Sequence, residues 1–276
     1  MSIDDLGWSG ANPAERLRAV TRRHADDELP IEAAGALLGF AGEPAHLVVA
    51  CRRVLAHHRS SGPLWWTCAR ILAAPEPAAA CREAQRLLAA DPTVTRLSGA
   101  LPVLTDDEIV AVIGWPAAVD RALGERPDVG AVAVRVPGDD TTRRVRRRAA
   151  SQPVRVVSAH ELDTRSVVRV VAPALAIGPT HALVSEGVTA AVEHLAREHP
   201  LAEVWLVGGV GAVLPDRLFA AVVTATAGDA QRAPDPVEEL ALAAVDRIAG
   251  PRGLERPGDA TARAECPVAP ELLRPL

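Results

Sequence analysis

The chain has 276 residues, 49% hydrophobic and 24% charged, with a formal net charge of −5. That is enough apolar material for one large core or two modest ones, and the negative balance argues against a general grip on nucleic acid, which needs a positive field along the phosphates. All thirty basic residues are arginine and tyrosine is absent, which excludes Schiff-base chemistry on lysine, Walker-type and kinase-type phosphate lysines, and a phenolic acid or nucleophile.

The opening MSIDDLGWSGANPAERLR has neither a basic nor an apolar leader segment, and no later stretch supplies the ~18 apolar residues of a membrane helix. A cytoplasmic location is expected. From residue 13 to 91, apolar residues recur at three-and-four spacing and are broken by Pro30, Pro44, Pro63, Pro75 and Pro77. Proline suits the first helical turn, so this pattern predicts four or five short helices within a helical domain over 1–100. Cys51, Cys68, Cys81 and Cys266 form no CxxC pair. They read as free buried thiols, neither a zinc site nor a disulfide framework.

After residue 91 short β-branched runs alternate with alanine- and arginine-rich stretches, as βαβ units do. Strands are predicted at 109–113, 129–134, 154–157, 168–171, 182–184, 203–207 and 220–224. Helices are predicted from Pro116, Asp140, Glu161 and Glu186, with a last one over 235–249. The expected architecture is an α/β fold: an N-terminal helical bundle, then a Rossmann-like, mostly parallel sheet domain over 101–250. The remaining residues, 251–276, are rich in proline, glycine and charge and are expected to be a flexible tail.

Four segments in order carry a resemblance. They are HHRSSGPLWWTCARIL from His57, IVAVIGWPAAVDRAL from Ile109, APALAIGPTHALVSEGVTAAVEHLA from Ala172, and VWLVGGVGAVLPDRLFAAVVTATAG from Val204. Together they resemble the alpha, beta and delta subunits of translation initiation factor two-B and their relatives, the methylthioribose-1-phosphate and ribose-1,5-bisphosphate isomerases. The resemblance implies a sheet domain of the sugar-isomerase and coenzyme-A-transferase type, dimerising through that domain, with a ligand site at the carboxyl ends of the strands. No cofactor is expected, and with no HxxxH or HExxH spacing among the histidines no metal set is expected either.

Departures from the family pattern bear on function. The isomerases' acid–base aspartate and cysteine fall at Leu175 and Gly114, and neither residue can carry a proton. The family's phosphate arginine falls at Val136, beside Arg135, and its Asn-Lys pair becomes Ser185 and Glu186. Its glycine becomes Val188, with Gly187 one place earlier. The resemblance therefore implies a catalytically degenerate member that binds a sugar phosphate or nucleotide, with Gly114, Trp115, Arg135, Ser185, Glu186, Gly187, Gly208 and Gly209 as ligand-site candidates and no catalytic residue.

Several of these residues carry a second reading. Ser185 and Glu186 also read as a helix N-cap, Gly208 to Gly211 as either a strand-ending turn or a phosphate cradle, and Trp115 as either core or a stacking surface. The run TTRRVRRR from Thr141 is either a solvated face or a docking patch. Two competing functions stand beside the non-catalytic reading. One is an isomerase using Glu186, His181 or Asp163. The other is an RNA- or ribosome-associated factor, although the acidic balance disfavours nucleic acid.

Overall fold

The computed structural model describes residues 12–22, 28–137, 141–148, 154–162, 166–227, 236–274 and 276. Helices α1 (Pro13–Arg22), α2 (Leu29–Leu38), α3 (Pro44–His57), α4 (Gly62–Ala73) and α5 (Pro77–Ala89) open the chain. Proline sits in the first turn of α2 through α5, where its missing N–H would have had no intrahelical partner. These helices bury Leu37, Cys51, Leu55, Leu64, Trp65 and Ile71 in one core.

Seven strands build the main sheet: β1 (Glu108–Ile113), β2 (Ala131–Val134), β3 (Arg155–Val157), β4 (Ser166–Pro173), β7 (Glu203–Val207), β9 (Arg247–Gly250) and β10 (Gly253–Glu255). Their order is β10-β9-β7-β4-β1-β2-β3, parallel except for β10, which runs antiparallel at one edge. Successive side chains leave a strand on opposite faces. Ile109, Ala111 and Ile113 accordingly enter one apolar layer and Val110 and Val112 the other, which is why the strand reads as an unbroken apolar run.

The layer below Val110 holds α6 (Thr93–Ala100), α7 (Ala117–Gly124) and α8 (Thr141–Arg148). On the opposite face lie α9 (Val188–Glu198) and a small antiparallel sheet of β5 (Ala176–Ile177), β6 (His181–Ser185) and β8 (Val237–Ala241), in the order β5-β6-β8. This small sheet joins the two halves of the molecule. Ala182 and Val184 pack toward the main sheet, whereas Ala176 and Leu183 pack with the helical core and with α10 (Asp216–Ala227).

Several expectations are corrected. Residues 220–224, predicted as a strand, lie within α10. Leu218, Phe219 and Val222 form its buried stripe, and the hydroxyls of Thr224 and Thr226 are satisfied by the carbonyls of Ala220 and Val222. The helix predicted over 235–249 is instead β8, a 3-10 turn (Leu242–Ala244) and β9. Pairing with β6 and β7 overrides the local helical preference. The helix expected from Glu161 is a single 3-10 turn (Ala159–Glu161), closed by a capping box between Ser158 and Glu161 before β4 begins.

The stretch from 251, expected to be flexible, carries β10 and α11 (Pro257–Ala262), and buries Ala260, Ala269 and Leu272. Arg52 on α3 holds its end by donating to the carbonyls of Glu271 (2.9 Å) and Arg274 (3.3 Å). No helix among the described residues is long and apolar enough to cross a membrane.

Candidate functional site

From β1 the chain adds β2 and β3 on one side, and then returns to place β4, β7 and β9 on the other. The carboxyl ends of β1 and β4 therefore flank the switch point where open α/β sheets bind ligands. β1 runs into Gly114 (φ 70°) and Trp115 (φ 48°). Positive φ at a bulky residue is strained, by about 1–3 kcal/mol. Packing holds it: the Trp115 indole is 1% exposed among Leu97, Leu101 and Val119, and its Nε1–H donates to Asp120 Oδ1 (2.8 Å). Trp115 is thus a core residue under the loop. The Gly114 carbonyl accepts from Arg144 Nη1 (3.0 Å), so α8 reaches over the same loop.

Just past the end of β4, Leu175 spends both its backbone groups on the frame. Its N–H donates to Leu183 (2.8 Å), and its carbonyl accepts from the Gly62 N–H at the start of α4 (2.8 Å). The side chain is half-buried against the helical core. All four thiols pack in or against that core too. Burial pushes Cys81 and Cys266 up to about 12, and the bond to the Cys68 thiol together with burial raises Cys51 well above the ordinary thiol range. Among the described residues no three His, Cys, Asp or Glu side chains are grouped to hold a metal.

Two backbone positions near the strand ends have the geometry to receive an anion, and both receive one of the protein's own carboxylates. The first is the start of α9. Gly187 is its N-cap, at φ 83°, and a Cβ there would lie 2.5 Å from Pro137 Cδ; only glycine meets both demands. Ser185 does not cap this helix. It is the last residue of β6, paired with Val237, and the turn through Glu186 and Gly187 carries the helix start away from it. The Thr189 N–H donates instead to Glu238 Oε1 on β8 (2.7 Å). Glu186 is exposed.

The second position is the turn after β7. Here the Val210 N–H donates to Asp91 Oδ2 (2.8 Å). The other Asp91 oxygen accepts from the Thr93 N–H (2.9 Å) and hydroxyl (2.5 Å). A Cβ on Gly209 would stand 2.4 Å from Asp91 Oδ2, so glycine is what allows the carboxylate in. Gly208 donates its N–H to Ala249 (3.0 Å).

Arg135 lies just past β2, 57% exposed, with its guanidinium 3.6 Å from Glu161. The Ser158 N–H (2.8 Å) and then Arg135 hold the Glu161 carboxyl below the usual carboxylate range. Val136, at the family's arginine position, is buried. His181 starts β6, at the far end of that strand from Glu186, with Nδ1 in contact with the Thr180 hydroxyl (3.0 Å). Asp163 lies outside the described residues.

The sequence reading missed Asp91 and Glu238, and named Arg144 only within the arginine run from Thr141. Asp91 had a local signal, because Asp-Pro-Thr before an apolar run is a helix-start signature. Nothing beside Glu238 in the chain marks it.

No protein-family model and no curated protein matches the chain. Solved structures do. A chain of the tetrameric eIF2B-beta2-delta2 complex from C. thermophilum aligns with TM-score 0.64 at 15% identity, over 91% of this chain and 93% of that one. eIF2B beta from Chaetomium thermophilum aligns at 0.59 and 14%, over 91% and 90%. The delta subunit of eIF-2B from A. fulgidus aligns at 0.53 and 13%, over 95% and 91%. The chain therefore shares the fold of these initiation factor subunits, from the helical bundle through the sheet.

Proposed function

We propose that the chain is a non-catalytic protein built on the initiation factor 2B subunit fold, acting in the cytoplasm through contacts with other protein chains. The first of those partners is a second copy docked through the α/β domain. One observation supports this reading: the two positions that the resemblance assigns to the acid–base pair hold Gly114, which follows β1, and Leu175, whose side chain packs against the helical core. Moving a proton between adjacent sugar carbons needs an acid and a base within hydrogen-bond reach of the substrate, and neither residue offers a titratable group. The substitutes fare no better. His181 opens β6 and Glu186 follows its last residue, Ser185, which lies about 13 Å from His181 at the rise of a strand, so the two are not placed as one acid–base pair.

A regulatory sugar phosphate or nucleotide belongs to the proposal in a reduced form. Of the candidate positions, Trp115 is in the core, Gly187 is pressed against Pro137, and Gly209 against Asp91. Arg135 and Glu186 remain exposed to meet a ligand at the strand ends, whereas the Gly114 N–H is bonded to Val134 and its carbonyl to Arg144.

The test has two arms. Pure protein incubated with ribose-1,5-bisphosphate or methylthioribose-1-phosphate is expected to form no ketose, and light scattering after gel filtration is expected to give the mass of a dimer. Turnover that disappears in Glu186→Gln would overturn the reading in favour of an isomerase, and a monomer at micromolar concentration would overturn the assembly role.

A further inference from the structure

Charge is unevenly distributed along this chain. Between residues 135 and 155 stand seven arginines against two aspartates, in a protein whose formal net charge is −5. The fold collects this surplus at one edge of the main sheet. β3 is the edge strand, with Arg155 exposed. α8 packs over β2 and β3 and carries Arg143, Arg144, Arg146, Arg147 and Arg148. Arg143 and Arg144 are exposed, and Arg135 stands at the end of β2.

We propose that this edge docks the phosphodiester backbone of single-stranded RNA. The helix keeps nothing apolar for a partner, because Val145, its one aliphatic side chain, is buried in the sheet layer at 4% exposure. A protein partner needs a desolvated anchor at the centre of its interface, where charged residues are depleted. A phosphate chain needs only the field and guanidinium forks that pair with its oxygens. α8 is about 12 Å long and no aromatic residue occurs between 135 and 155, so the surface holds phosphates without stacking or reading bases. RNA is the phosphodiester chain met by a protein in the cytoplasm. This rests only on the location proposed above and not on the emptied crevice.

The experiment is fluorescence anisotropy of a labelled 20-nucleotide oligouridylate titrated with the intact protein at several salt concentrations. If four arginines each neutralise one phosphate, the slope of log K against log salt is about −2.8, and affinity falls about fiftyfold from 50 to 200 mM salt. R143Q/R146Q/R147Q/R148Q, which spares the Arg144 bond to Gly114, is expected to abolish binding with an unchanged circular dichroism spectrum. Should it misfold, R143Q/R147Q is expected to halve the slope. Three results would overturn the proposal: no binding at 50 mM salt, undiminished binding by a folded variant, or displacement of the RNA by an equal charge of polyglutamate as readily as by unlabelled RNA.

Discussion

Asp91 is the most testable joint in the molecule, because one carboxylate links the end of the helical bundle to the turn after β7. Asp91→Ala removes a charge-assisted bond from the Val210 N–H, worth about 1.5–3 kcal/mol, and a cap-like pair of bonds to Thr93, worth about 1 kcal/mol. The expected loss of stability is about 2–4 kcal/mol. Asp91→Asn can keep the Thr93 bonds but turns an amide N–H₂ toward the Val210 N–H, so it should lose about 2 kcal/mol. Gly209→Ala attacks the same contact sterically, since its methyl group would stand 2.4 Å from Asp91 Oδ2. The two effects must therefore couple. With Asp91 already alanine the methyl group has nothing to strike there, and a double-mutant cycle should return an interaction energy of about 1 kcal/mol or more. Urea unfolding followed by tryptophan fluorescence reads both halves, because Trp65 lies in the helical core and Trp115 and Trp205 in the sheet layer. A cycle that closes with no coupling, or a D91A midpoint within error of the parent, would refute the joint.

Three further outcomes are expected. Glu238→Ala uncaps α9 and should cost about 1 kcal/mol, with faster hydrogen exchange confined to its first turn, while Glu238→Gln keeps an acceptor for the Thr189 N–H and should cost less. Gly178→Ala drives a methyl group to 2.3 Å from the Phe219 ring and should lower stability by about 1–3 kcal/mol, read as a fall in Tm; an unchanged Tm would mean the ring moves freely. Stability should also decline on both sides of neutrality. Burial lowers the His58 pKa against the opposing bond from its Nε2 to the Val20 carbonyl, so its contribution is present above the ordinary 6.5 and is lost as pH falls. The buried Cys81 and Cys266 are raised, so theirs is present below 9 and is lost as pH rises toward 12. Unfolding midpoints across pH, with His58→Gln flattening the acid limb, check the signs.

The parts of the fold legible in the sequence are those decided by neighbours along the chain. Pro30, Pro44, Pro63 and Pro77 mark helix starts because the constraint they impose acts within one turn. β1 and β7 are legible because burial on both faces demands an uninterrupted apolar run. α10 was misread because Val222, Val223 and Thr224 favour a strand locally, and only the helical core on one side and back-bonded threonines reveal a helix. β8 and β9 were misread for the opposite reason: Glu238, Glu239, Leu240 and Ala241 are good helix formers, recruited into a sheet by the register of β6.

The candidate site divides along the same line. Glycines with turn geometry at 114, 187, 208 and 209 were legible as strand-end loops, but what fills those loops was not, since Asp91 and Val210 are 119 residues apart and Glu238 and Thr189 are 49 apart. That filling has a chemical consequence. A carboxylate held by the fold competes with any free anion at an effective concentration on the order of millimolar or above, because its placement cost was met on folding. A sugar phosphate at micromolar concentration that met only the amides of Val210 or Thr189 would have to out-bind a resident that never diffuses away. On the proposed function, position 175 carries no proton and the amides of Val210 and Thr189 already hold carboxylates, so Leu175→Asp alone should produce no turnover of a sugar phosphate.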